Sequence, residues 1–114
     1  MGSKITPLLV EKYDITNKIL NELANLESRH ILFSIIQKPK TVKQISQEQK
    51  IPLSTVYKKI QVLTGISLIF ETHRDFSSDG KIIRFYQSKI DDVQIDISKF
   101  SPSIHFKKNP HVEK

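Results

Sequence analysis

Residues 41–64 constrain the fold most strongly, because they encode two short helices joined by a short link. Thr41 followed by Gln44 three residues later is the pattern of a capping box, which begins a helix. Pro52 disfavours a helix that continues through it, and a second helical pattern covers residues 53–64. The segment therefore predicts two short helices meeting at a tight turn.

The second helix of this pair has two chemically different faces. Val56, Ile60 and Leu63 recur at helical spacing and predict a buried stripe. The remaining positions point outward or lie near the boundary and carry mostly polar, aromatic or cationic side chains: Ser54, Thr55, Tyr57, Lys58, Lys59, Gln61 and Val62. A helix that reads base edges requires this division, with one face held in the core and polar groups on the other.

A strand-rich region follows the helix pair. Residues 68–76 and 81–87 are rich in strand formers, and the Asp79-Gly80 pair between them is a hairpin signal. Two short helices, a tight turn and a hairpin form the winged helix-turn-helix layout. We therefore predict an α+β, mainly helical chain with an N-terminal helix extension and a two- or three-stranded β wing.

The sequence divides into three regions around this unit. Residues 1–27 are predicted to be an N-terminal helical segment whose apolar surface is a candidate for dimerisation, and residues 28–90 the winged domain, with Ser28 capping its first helix. Residues 91–114 are predicted to be a C-terminal strand and a loosely ordered basic tail, which begins after Pro102 where the composition becomes polar and basic. Apolar residues of the first region are Leu8, Leu9, Val10 and Tyr13.

The C-terminal strand is predicted from strict alternation over residues 93–97, which indicates one buried face. With Phe100, Ile104 and Phe106 behind it, this strand is a second candidate dimer surface. Alternatively, the strand completes the sheet of its own protomer.

The positive charge is concentrated in the helix pair. The chain has 18 Lys and Arg against 12 Asp and Glu, a net charge of +6. Residues 38–64 contain six lysines and one glutamate, a net charge of +5, whereas residues 1–37 are neutral. Because solubility alone does not require such clustering, the distribution favours a binding face for an anionic partner.

Several functional classes find no support in the sequence. The chain has no cysteine, which excludes disulfides, thiolate zinc sites and thiol nucleophiles. No Gly-rich phosphate loop, nucleophile elbow or paired-carboxylate signature is present, so we expect neither an enzyme nor a bound cofactor. The histidines do not form a ligand pattern, so we expect no metal. No membrane span or signal peptide is visible, which favours a cytoplasmic, nucleoid-associated protein.

Two segments resemble ArsR-like winged helix-turn-helix transcriptional regulators, and the archaeal members in particular. Residues 52–63 (PLSTVYKKIQVL) are similar to the recognition helix of that family, and residues 29–36 (RHILFSII) resemble its opening core helix. The resemblance covers residues 20–90. The chain lacks the cysteines of the metal-sensing branch, and Gly65 is displaced from the family's usual position before the wing. The resemblance therefore implies DNA binding and leaves any effector undefined.

The resemblance also implies roles for individual residues. Base contacts in the major groove would come from one set of recognition-helix residues: Ser54, Thr55, Tyr57, Lys58 and Gln61. Phosphate contacts would come from the helix pair and the wing: Lys40, Thr41, Lys43, Lys59, Arg74, Lys81 and Arg84. Six neutralised phosphates would give a log-log salt slope of about −5.

The implied partners are double-stranded DNA and a second copy of the chain. A single winged helix contacts few base pairs, so specificity favours a homodimer on a palindromic site. The alternative is a winged-helix protein-interaction module of a transcription or nucleic-acid-processing complex, in which the lysines meet an acidic protein surface.

Overall fold

The structure is a computed structural model that describes residues 7–98 and 101–113, and the side chains of residues 7–14 and 101 lie outside that description. Four helices precede four strands. The helices are α1 (Pro7–Ala24), α2 (Leu26–Ser34), α3 (Val42–Gln49) and α4 (Leu53–Gly65). The strands are β1 (Ile69–Phe76), β2 (Ile82–Ser88), β3 (Ile90–Ser98) and β4 (Ser101–Lys108). No helix in the described ranges is long and apolar enough to cross a membrane.

The start of α2 differs from the sequence prediction. Asn25 caps the helix, and its side chain accepts a hydrogen bond from the backbone N–H of Ser28 at 2.9 Å. The prediction that Ser28 is the cap is wrong, because Ser28 lies inside the first turn and is 1% exposed. Its hydroxyl donates instead to Glu22 on α1 at 2.6 Å. The buried polar side chain is thereby satisfied by a neighbouring helix.

The start of α3 follows the prediction. The Thr41 hydroxyl accepts from the backbone N–H of Gln44 at 3.1 Å, and the Gln44 side chain accepts from the N–H of Thr41 at 2.9 Å. This capping box satisfies two backbone donors that the helix leaves unpaired. The helix ends at Lys50, whose backbone is left-handed with φ at 55°. The Ser46 hydroxyl then donates to the carbonyl of Ile51 and fixes the turn into α4.

The core lies where α2, α3 and α4 meet the base of the first hairpin. The predicted inward residues of α4, Val56, Ile60 and Leu63, are all buried, at 0%, 3% and 0% exposure. They pack in one cluster with Ile31 and Ile45. Each fully buried aliphatic side chain stabilises the fold by about 1.5–3 kcal/mol, so these contacts hold α4 in one orientation.

The hairpin β1–β2 is the predicted wing, and it has two strands. The strands are antiparallel, with Ile69 opposite Ser88 and Phe76 opposite Ile82. Backbone hydrogen bonds anchor the wing to the helices: Lys40 and Tyr86 exchange two, and the N–H of Ser88 donates to the carbonyl of Ile35. The wing therefore has a fixed position beside α3 and α4.

The remaining strands form a second hairpin, which we call the arm (β3 and β4). Among the described strands, β3 and β4 pair only with each other, so the predicted third strand does not join the wing. The prediction of a loosely ordered tail after Pro102 is wrong, because β4 pairs with β3 over its whole length. Beyond the arm, the Asn109 amide donates to the carbonyls of Ile36 and Ser88 and ties the chain back to the body.

Candidate nucleic-acid interface

The outward face of α4 presents a polar stripe. Ser54, Lys58 and Gln61 are all exposed, and they recur at spacings of four and three residues, so they share the helix face opposite the buried stripe. Each was predicted to contact bases. Their hydroxyl, ammonium and amide groups can donate hydrogen bonds, and the hydroxyl and amide can also accept them. The stripe can therefore meet both donors and acceptors on base edges.

The other predicted residues of α4 lie on its flanks. Tyr57 is 54% exposed and faces the wing side, where it lines a cleft with Gln44 and Tyr86. Thr55 is half-buried on the opposite flank. Lys59 lies closest to the buried stripe and faces α1, where its Nζ is 3.3 Å from the Glu22 carboxylate. Of the predicted α4 residues, Ser54, Tyr57, Lys58 and Gln61 are thus the most accessible.

A cleft separates α3, α4 and the outer part of the wing. It encloses about 540 Å³. Residues from three elements line it, including Thr41, Lys43, Tyr57, Lys81 and Arg84. Of the five predicted base-contacting residues, Tyr57 lines the cleft, where it lies with the predicted phosphate-contacting residues Thr41, Lys43, Lys81 and Arg84.

The two arginines of the wing share one carboxylate. Arg74 and Arg84 lie directly opposite each other on β1 and β2, where like charges repel. Glu71 lies between them, and the Nε atom of each arginine is 3.1 Å from one of its oxygens. A guanidinium group has five donors, so each arginine keeps further N–H groups for another acceptor. Glu71 thus holds both guanidinium groups on the same region of the wing.

The predicted phosphate contacts differ in whether a carboxylate already neutralises them. Lys40 Nζ is 2.5 Å from Glu48, and the Lys40 side chain is 16% exposed. Lys81 lies 3.9 Å from Asp79 at a fully solvated turn. Lys43 is exposed and has no ion-pair partner among the residues that the structure describes, and the same holds for Lys58. These two lysines are the most available cations near the cleft.

Two titratable groups beside the cleft have shifted pKa values. Burial raises the pKa of the Tyr86 phenol, and the nearby Glu71 charge adds to the shift. A hydrogen bond from the Ser77 hydroxyl lowers the pKa of Asp79 at the wing turn. Tyr86 is therefore neutral and Asp79 ionised at neutral pH, and Asp79 places one negative charge at the outer end of the cleft.

The sequence analysis missed several residues of this surface. Phe76 and Ile82 form a cross-strand pair near the wing turn and are 69% and 47% exposed. Their strand pattern is visible in the sequence, but their exposure depends on how far the wing extends beyond the helices. Glu71 was also missed, because its contact with Arg84 depends on the register of β1 and β2.

The histidines do not converge on a metal site in the described ranges, where no group of three or more potential ligands occurs. His73 stacks instead on Phe85, with ring centroids 4.4 Å apart and an interplanar angle of 9°.

Comparison with solved structures defines the fold. The structure resembles the homodimeric winged helix-turn-helix DNA-binding domain of Mb0332 from Mycobacterium bovis, a possible ArsR-family transcriptional regulator, with a TM-score of 0.57 and 18% identity. The alignment covers 77% of this chain and 75% of that domain. NolR from Sinorhizobium fredii gives a TM-score of 0.58 and 18% identity, covering 79% and 84% of the two chains.

The chain has the winged helix-turn-helix fold. The predicted fold class is therefore confirmed, with α3 and α4 as the helix-turn-helix and β1–β2 as the wing. No protein-family profile matches the sequence, and no curated protein does so either. At 18% identity, these similarities establish the fold alone. The function must therefore be argued from the residues on the surface.

Proposed function

We propose that the protein is a transcriptional regulator that binds double-stranded DNA, with α4 in the major groove and the wing on the adjacent groove or backbone. One observation carries this proposal. The apolar stripe of α4 is buried, so that Ser54, Lys58 and Gln61 face outward from a rigidly held helix. A rigid helix with a polar outer face is what direct readout of base edges requires.

The proposed base contacts follow the exposure of the side chains. Ser54, Lys58 and Gln61 contact base edges, and Tyr57 contacts bases or sugars from the wing side of α4. Thr55 is half-buried, so its contact is confined to the flank of the groove.

The proposed phosphate contacts fall into two groups. Lys43 lies at the exposed N-terminal turn of α3, beside the capping residue Thr41, where the helix dipole also favours an anion. Arg74, Lys81 and Arg84 contact phosphates from the wing. Lys40 and Lys59 must first leave Glu48 and Glu22, so we expect them to contribute less.

We propose that the protein acts as a homodimer of the ArsR-like type and is related to the archaeal members of that group. It would act in the cytoplasm, in association with the nucleoid. Two copies on a palindromic site would supply the base contacts that one winged helix lacks. The Mb0332 domain, which shares the fold, is homodimeric. The absence of cysteine separates this chain from regulators that sense metals through thiolates.

A second candidate is a winged-helix protein-interaction module. The exposed pair Phe76 and Ile82 near the wing turn favours it, because an apolar pair suits a protein partner better than a phosphate backbone. The ion pairs that neutralise Lys40 and Lys59 also reduce the charge available to DNA.

Fluorescence anisotropy with a random DNA duplex distinguishes the two functions. For a DNA-binding regulator we expect a nonspecific Kd of about 1–100 µM near physiological salt, and tighter binding at lower salt. Lys58→Glu should weaken binding by about tenfold or more, whereas Lys107→Glu on the polar face of the arm should change it less than about twofold. No binding at low salt, or equal losses in the two variants, would refute the proposed interface.

Selection of bound sites from a random DNA pool tests the dimer and the specificity together. The expected enriched motif has two half-sites about 10 base pairs apart, one helical turn. A single ungapped half-site would indicate that the protein reads DNA as a monomer.

A further inference from the structure

The arm has one apolar face along its whole length. Side chains of alternate residues share a face of a strand, and directly opposite residues on paired strands share it too. Val93 lies opposite Phe106, Ile95 opposite Ile104, and Ile97 opposite Pro102. These six residues are the arm face. The reverse side is polar, with Asp92, Gln94 and Asp96 opposite Lys107, His105 and Ser103.

Half of the arm face is exposed within the described protomer, because Ile95, Ile97 and Phe106 are exposed whereas Val93, Pro102 and Ile104 are half-buried. Val93 packs on the core at the base of the arm, but Ile95 and Phe106 are 40% and 43% exposed and Ile97 is 75% exposed. The sequence predicted that residues 93–97 bury one face, so this part of the prediction fails within a single protomer. A two-stranded hairpin alone is only marginally stable in water.

The arm face continues into an apolar groove on the body. The groove encloses about 580 Å³ between α1, the end of α4 and the base of the arm. Its apolar lining includes Ile19, Ile66, Leu68, Phe70, Ile90 and Phe106. Phe106 belongs to both surfaces, so one protomer presents an apolar ridge and an apolar groove side by side.

The electrostatics of the arm do not favour a nucleic-acid partner. Residues 90–108 contain three aspartates and three lysines, so the segment has no net charge with neutral histidine. Within the described part of the chain, no residue lines both the apolar groove and the cleft beside α4. A partner on the arm face would therefore leave the DNA-binding cleft open.

We propose that a second copy of this chain covers the arm face and the groove, in a two-fold symmetric dimer. A two-fold interface uses the same patch on both subunits, so the ridge of each protomer can occupy the groove of the other. Each protomer then contributes both its ridge and its groove to the interface. The proposal specifies the surface of the homodimer and rests on the function proposed above.

Sedimentation of the full chain at increasing concentration tests the proposal without DNA. The wild type should be dimeric at tens of micromolar. Ile95→Glu introduces a charge into the arm face and should weaken dimerisation by at least about 30-fold, since the charge loses its hydration in an apolar interface. The matched control Gln94→Glu places the same charge on the polar face of the same strand, and its dimerisation should match the wild type.

Ile97→Ser is a second variant that leaves the protomer's own packing intact, because Ile97 is already 75% exposed. It should weaken dimerisation by about tenfold while the thermal unfolding of the monomer is unchanged. A wild-type chain that stays monomeric at 100 µM would overturn the proposal, because another part of the chain or another protein would then be needed to cover the face. Dimers of Ile95→Glu and Ile97→Ser as stable as the wild type would overturn it as well.

DNA binding separates this surface from the proposed function. Ile95→Glu should retain the wild-type affinity for random duplex DNA per protomer and lose the cooperative binding of a palindrome. If Ile95→Glu disrupts the dimer as expected but neither the variant nor the wild type binds DNA, the proposed dimer surface is supported and the DNA-binding proposal is refuted. If the wild-type chain binds DNA but never dimerises, the DNA-binding proposal is supported and the proposed dimer surface is refuted.

Discussion

The wing and the arm are two hairpins of similar length that the structure treats differently. The segment of the wing, residues 69–88, has three acidic and three basic residues, and the segment of the arm, residues 90–108, has the same balance. The base of the wing is nevertheless packed into the core, with Ile69 at 1% exposure. In the arm, β3 is buried only at its first residues and is exposed beyond them, and β4 is half-buried only at Pro102 and Ile104 within its described side chains.

The difference arises from what each hairpin contacts rather than from its own composition. The wing exchanges backbone hydrogen bonds with Lys40, and residues of α2 and α4 pack against its base. The arm is connected to the body through Ile90, Val93 and the Asn109 hydrogen bonds. Strand propensity and alternation are thus similar in the two hairpins, and the tertiary partner decides whether an apolar face is covered.

Matched isoleucine truncations should produce the largest difference between the hairpins. Ile69→Ala on the wing removes a fully buried side chain and should lower the free energy of unfolding by about 2–5 kcal/mol. Ile97→Ala on the arm should lower it by less than about 0.5 kcal/mol, because Ile97 is mostly exposed. Urea denaturation at a concentration that keeps both variants monomeric measures the two values. Equal losses would mean that the arm is packed in the monomer.

The Asn109 side chain should rank next, because it links the end of the arm to the body. Its amide donates to the carbonyls of Ile36 at 2.7 Å and Ser88 at 2.9 Å, and its oxygen accepts from the N–H of His111. Asn109→Ala removes these three hydrogen bonds, although the Ile36 carbonyl still accepts from the Gln87 amide at 3.0 Å, and should cost about 1–3 kcal/mol. Ser103→Ala, on the exposed polar face of the arm, is the control and should be close to neutral. A neutral Asn109→Ala variant would show that the hydrogen bonds do not anchor the arm.

The helix cap beside the wing should give a smaller effect. Thr41→Ala removes the acceptor for the Gln44 N–H and should lower the free energy of unfolding by about 1 kcal/mol. Ser54→Ala on the exposed face of α4 is the control, because Ser54 does not cap its helix. The N-cap of α4 is Pro52, which makes no side-chain hydrogen bond. Thermal unfolding compares the two. A Ser54→Ala loss as large as that of Thr41→Ala would contradict this assignment of the caps.

The helix pair was predictable because its signals are local. The capping box of Thr41 and the buried spacing of Val56, Ile60 and Leu63 depend on residues within one or two turns. Exposure along α4 follows from the same periodicity.

The failures involve contacts between different helices or strands. Ser28 looked like a cap, but Asn25 caps α2 and Ser28 instead donates to Glu22 on α1. The partners of Lys59 and Arg84 likewise come from another helix or the neighbouring strand. The polar, basic composition after Pro102 suggested disorder, although the alternation of Ile104 and Phe106 matches that of β3. Pairing between β3 and β4 outweighed composition there.

The salt dependence of DNA binding tests the central claim most directly, because it counts the phosphates that the protein neutralises. For random duplex DNA, the double variant Lys43→Gln/Lys81→Gln removes two proposed phosphate contacts and should reduce the log-log salt slope by about 2 relative to the wild type, at about 0.9 per phosphate contact. Lys107→Gln on the arm should leave the slope unchanged. A double variant with the wild-type slope, or a wild-type slope near zero, would contradict the assignment of α3, α4 and the wing as the DNA-binding surface.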